Sequence, residues 1–110
     1  MTWPSDADGD VLRRLEQSGF DFSKSTLIDF NVDFQSWPPP SAAIAALSRR
    51  YPSVKACEPD GEFAGYLQFQ VFARLTYELV TNIQHEITDL MIPYHGECSS
   101  WGVLCPDQPR

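Results

Sequence analysis

Between Ser25 and Phe34 the chain alternates strictly. Ile28, Phe30, Val32 and Phe34 fall on one side, Asp29, Asn31 and Asp33 on the other. A period of two predicts a strand with one face packed under helices and one wet, acidic face. The same period returns over Gly65–Arg74, where Leu67, Phe69, Val71 and Ala73 share a side. Its other side holds Tyr66, Gln68, Gln70, Phe72 and Arg74, so the open face of the sheet carries aromatic surface. Ser53–Glu58 predicts a shorter strand, followed by a turn over Glu58–Glu62.

Helical spacing governs the rest. Val11, Leu12 and Leu15 predict a helix over about Asp10–Ser18, with Gly19 in the left-handed position that ends it. Ile44, Leu47 and Tyr51 mark the buried side of a second helix, Ser41 to Tyr51, which Pro52 stops. Val80, Ile83, Ile87, Leu90, Met91 and Tyr94 form the stripe of a third over Thr76–Tyr94, kinked or ended by Pro93. Trp37-Pro38-Pro39-Pro40 reads as a stiff corner with Trp37 packed nearby. Gly96-Glu97-Cys98-Ser99-Ser100-Trp101 reads as a turn entering a terminal strand.

The order is therefore a helix, then strand–helix–strand twice. Two split units of this kind predict an α+β, ferredoxin-like sandwich, βαββαβ: a four-stranded antiparallel sheet with helices on one face and an extra N-terminal helix. The last strand then pairs with the first, and the second strand forms the far edge. The 110 residues make one domain, with residues 1–7 and 106–110 expected as frayed tails.

Composition adds a sign. Eight Lys and Arg stand against fifteen Asp and Glu, a net charge of -7. Residues 1–36 hold seven acids and three bases, and residues 58–110 eight and two. Residues 37–57 hold only Arg49, Arg50 and Lys55. Such a surface repels nucleic acid and suits a basic protein segment. A ferredoxin-like sheet that binds RNA needs basic residues beside its aromatics on the third strand. Here Gly65–Phe72 has none, and Asp29 and Asp33 occupy the neighbouring strand. No apolar run is long enough to span a membrane, and the acidic N-terminal residues lack a signal-peptide pattern, so the cytoplasm is expected. Cys57, Cys98 and Cys105 are odd in number, and the last two lie ~23 Å apart along one strand, which predicts reduced thiols.

Catalytic and metal patterns fail on spacing. Asp6-Ala7-Asp8-Gly9-Asp10 opens like a calcium loop, but Val11 and Gln17 stand where Gly and Glu are required. These acids fit a helix N-terminus better. His85-Glu86-Ile87-Thr88-Asp89 lacks the second histidine of a zinc helix. Cys98 or Cys105 could be drawn beside His85 or His95, yet nothing in the sequence brings a base to either thiol. No catalytic residue, metal or cofactor is expected.

Two stretches carry a resemblance. Leu15-Glu16-Gln17-Ser18-Gly19-Phe20-Asp21-Phe22-Ser23-Lys24, running into Ile28-Asp29-Phe30, resembles the N-terminal signature of the RraB family, regulators of ribonuclease E activity. Gly96-Glu97-Cys98-Ser99-Ser100-Trp101 is similar to that family's Gly-Glu-Tyr-Asp-Gly-Trp terminal motif, with Cys98, Ser99 and Ser100 in place of Tyr, Asp and Gly. The resemblance implies a small acidic, non-catalytic cytoplasmic regulator that binds the C-terminal regulatory region of ribonuclease E and inhibits RNA cleavage by protein contact. Asp29, Asp33 and Glu97 are the candidate partner-binding residues, and Trp101 is expected in the core. The alternative is a small-ligand or self-association module using Tyr66 and Phe72 on the open sheet face. The expected oligomeric state is a monomer or weak homodimer.

Overall fold

The strand expected at Ser25–Phe34 forms with those bounds (β1). It is flanked by β3, Tyr66–Arg74, and β4, Gly96–Val103, with β2, Lys55–Cys57, beyond β3. All pairs are antiparallel, and the order β2-β3-β1-β4 is that of a ferredoxin-like sheet, with the last strand beside the first. Three helices complete the α+β fold: α1, Ala7–Gln17, α2, Ser41–Arg50, and α3, Tyr77–Met91. The computed structural model describes residues 3–62 and 64–103, so Cys105 and the expected tail at 106–110 lie outside the described residues.

The inward row of the sheet, Ile28, Phe30, Val32, Leu67 and Phe69, is fully buried. It forms one core with Leu12 of α1, Leu47 of α2, and Val80, Ile83, Ile87 and Met91 of α3. Phe30 and Phe69 are cross-strand partners with rings stacked 5.2 Å apart, and Tyr51 covers Phe69 at 4.3 Å. Burying each such ring stabilises the fold by ~1.5–3 kcal/mol, with ~0.5–1.5 kcal/mol more from each aromatic pair. α3 touches both other helices and β4, and Arg50 of α2 pairs with Glu86 of α3.

Three elements differ from the sequence reading by more than one residue at an end. α1 starts at Ala7 rather than Asp10, because Asp6 supplies the cap: its carboxylate accepts from the Gly9 amide at 2.7 Å. The residues just before it are also engaged, since Trp3 donates to Glu16 at 3.3 Å and packs on Phe22 with centroids 5.4 Å apart. β2 is shorter than Ser53–Glu58, because the Ser53 hydroxyl accepts from the Gln70 amide at 2.9 Å where a strand carbonyl would otherwise sit. α3 closes at Met91, and Ile92–Tyr94 tightens into a 3-10 turn at Pro93. Thr76 caps α3, accepting from the Leu79 amide at 3.0 Å. Gly19 takes φ 85°, a left-handed conformation open to glycine at no steric cost. Trp37 donates to Glu58 at 2.9 Å across the proline corner.

Candidate partner-binding face

The open face is built from the outward residues of the four strands, and the pairing register sets them in rows. The first row reads Cys57, Tyr66, Asp33, Glu97. The next is Lys55, Gln68, Asn31, Ser100, then Gln70, Asp29, Gly102, and finally Phe72 opposite Leu27. The middle rows are tied laterally. Gln68 donates to Asn31 at 3.0 Å, Asn31 donates to Ser100 at 3.1 Å, and Gln70 donates to Asp29 at 2.7 Å.

The three candidate carboxylates do not form a single cluster. Asp33 and Glu97 are direct cross-strand partners, both exposed. Asp29 lies ~13 Å further along β1 by strand rise, half-buried and held by Gln70. Asp33 and Glu97 also share a cleft of about 430 Å³ with Phe34, Gln35, Ile92, His95 and Gly96. Sequence reasoning did not anticipate Ile92 here. It projects from the 3-10 turn with 58% of its surface exposed, off the buried stripe of α3.

The entry to β4 explains the shape of this cleft. His95, not Gly96, takes the left-handed conformation, at φ 60°. Gly96 is needed for space: a Cβ there would lie 2.6 Å from Cε1 of Phe34 and 3.1 Å from Cβ of Met91. The β1–β4 register then shifts between Asn31 and Val32, from Asn31 opposite Ser100 to Val32 opposite Cys98, leaving Ser99 as an extra residue. This β-bulge lets Cys98 and Trp101, three positions apart, both face the core with 4% and 9% of their surfaces exposed. Ser99 and Ser100 both turn outward, and the Ser99 hydroxyl donates to Asp33. On the core side the Trp101 ring nitrogen donates to Asp8 at 2.8 Å, and Gln84 donates to the same carboxylate at 3.0 Å. Trp101 is thus part of the core, as expected, and clips α1 to the sheet.

Of the two thiols in the cysteine sketch, Cys105 lies outside the described residues and Cys98 is buried. Burial, then the nearby carboxylates of Asp33, Asp8 and Glu97, push the Cys98 thiol up to about 12, so at neutral pH it stays protonated. Cys57 is half-buried at the opposite sheet edge from Cys98. Tyr66, beside Cys57 on the open face, has its hydroxyl pKa raised by the bond to that sulfur and by the negative charge of its thiolate form. Among the described residues no group of three or more His, Cys, Asp and Glu could hold a metal ion. No helix there is long and apolar enough to cross a membrane.

A larger cleft of about 530 Å³, lined by Trp3, Phe22, Arg74, Leu75 and Tyr77 among others, includes none of the candidate carboxylates. Leu27 was also missed, although it shares parity with Asp29 and Asp33. It stands opposite Phe72, and the two are 45% and 70% exposed.

Comparison with the curated proteins and with the solved structures returned no match. The family model described as Regulator of ribonuclease activity B matches residues 5–103, from the residue before the cap of α1 to the last residue of β4. Both stretches that carried the resemblance fall within that span, and the chain belongs to the RraB family of regulators of ribonuclease activity.

Proposed function

We propose that this protein is a non-catalytic, acidic, cytoplasmic regulator that binds a basic protein segment on the open sheet face. The segment is the C-terminal regulatory region of ribonuclease E, and its capture inhibits RNA cleavage and so slows RNA decay. The observation that carries this reading is the pairing of Asp33 with Glu97 at a shared cleft. Two like charges directly opposed on a sheet destabilise it by ~0.2–1 kcal/mol. A guanidinium or ammonium seated between them reverses that repulsion, and Ile92 beside them offers an apolar wall for the side chain's stem. The net charge of -7 steers a basic segment towards the face and away from free RNA.

The test is a titration of the Arg-rich regulatory segment of ribonuclease E by fluorescence anisotropy at several salt concentrations. Micromolar binding that weakens with salt and with Glu97→Gln is expected. No binding at low salt rejects the reading. A second reading, self-association or a small ligand at Tyr66 and Phe72, draws on the 70% exposure of Phe72. A mass that doubles with concentration in sedimentation would favour it.

A further inference from the structure

The exposed candidate carboxylates of the open face, Asp33 and Glu97, lie at one end, and Asp29 is half-buried in the rows between. At the other end, Phe72 and Leu27 stand opposite each other with 70% and 45% of their surfaces exposed. Both point to the same side as Asp29, Asp33 and Glu97. Leu27 and Asp33 are six residues apart on one strand, ~20 Å by strand rise. Between them the outward side chains are polar and bonded to one another, through the Gln70–Asp29 and Gln68–Asn31–Ser100 contacts. The face is thus graded, with carboxylates at one end, a hydrogen-bonded polar stretch in the middle and an apolar step at the other.

We infer that the occupant of this face is an extended, amphipathic segment: arginines or lysines at Asp33 and Glu97, and a large apolar side chain about six residues away on Phe72 and Leu27. An extended chain covers ~3.3 Å per residue, so six residues match the ~20 Å between the two ends. Charge complementarity selects this occupant over a second copy of the chain, because two chains each at -7 repel. The inference rests on the proposed function and deepens it. It says that binding has a salt-sensitive part at one end of the face and a salt-insensitive part at the other.

Two synthetic peptides test it, each with four arginines and a Gly/Ser spacer. One carries tryptophan six residues beyond the arginines, the other serine at that place. Anisotropy titrations at low and moderate salt should show the tryptophan peptide binding about tenfold tighter, as burial of a large apolar side chain implies. Phe72→Ser with Leu27→Ser should abolish that advantage and leave the salt dependence unchanged. Both side chains are exposed, so the variant should unfold at the wild-type urea midpoint. Equal affinity of wild-type protein for the two peptides, with salt-sensitive binding retained, overturns this inference and leaves the proposed function standing. No binding of either peptide overturns both. A wild-type dimer that Phe72→Ser dissociates also overturns it, by assigning the apolar step to self-association.

Discussion

Asp33 of β1 and Glu97 of β4 are direct cross-strand partners, with both side chains on the open face of the sheet and in one cleft. The fold gains nothing from this pairing, since like charges so placed repel. Glu97→Gln should therefore leave stability unchanged or raise it by up to ~1 kcal/mol in urea unfolding, while weakening a basic partner several-fold. A purely structural role for Glu97 would move the two measurements the same way.

The Asp8–Trp101 contact makes the opposite kind of prediction. Asp8 accepts from the ring nitrogen of Trp101 at 2.8 Å and from the side-chain amide of Gln84 at 3.0 Å, joining α1 to β4 and α3. Asp8→Ala leaves the buried Trp101 N–H without its acceptor and should cost about 1–3 kcal/mol. The urea midpoint should fall, and tryptophan emission should shift to the red if α1 loosens. An unchanged midpoint would show that the docking of α1 does not depend on this contact.

Much of this architecture was legible in the sequence. Ile28, Phe30 and Val32 alternate with Asp29, Asn31 and Asp33, and β1 formed with the expected bounds, because a half-buried strand leaves its period in the chain. The bulge was not legible. Plain alternation puts Cys98 and Trp101 on opposite sides, and only the register against β1 reveals Ser99 as the extra residue. The start of α1 was ambiguous because Asp6, Asp8 and Asp10 are all competent caps, and the Gly9 contact decides among them. At the site, the phase of β1 and the position of Glu97 were enough to nominate Asp29, Asp33 and Glu97. That Asp33 and Glu97 pair while Asp29 stands apart depends on long-range register, which no local pattern encodes. The place of Ile92 in the cleft likewise depends on how the 3-10 turn lies against β1 and β4 in three dimensions.

Ser99 stands where the resemblance leads one to expect an acid, and its hydroxyl donates to Asp33. Ser99→Asp would add a third carboxylate beside Asp33 and remove that donor. The variant should bind a basic segment more tightly and with a steeper salt dependence, at a loss of roughly 1 kcal/mol in stability. Unchanged affinity would place the partner away from this end of the face.

Cys98 gives the fold an alkaline limit. Its folded pKa of about 12 lies above its ordinary value of 9.0, so the folded state disfavours the thiolate. The contribution is intact below pH 9 and declines as pH rises from there towards 12. Urea midpoints should fall between pH 9 and 11 in the wild type and fall less in Cys98→Ala. In a Cys105→Ser background, iodoacetamide at pH 7 should leave Cys98 unmodified until the protein unfolds. Rapid labelling of native Cys98 would contradict its burial under α3.

The most direct test of the central claim is the salt dependence of binding to the Arg-rich regulatory segment of ribonuclease E, measured for wild-type protein and for Asp33→Asn with Glu97→Gln. Micromolar wild-type binding that weakens steeply with salt, and a double variant that binds more weakly with a shallower slope, is the expected result. Equal affinity and equal slope for the two proteins would contradict the assignment of the partner to the Asp33–Glu97 face.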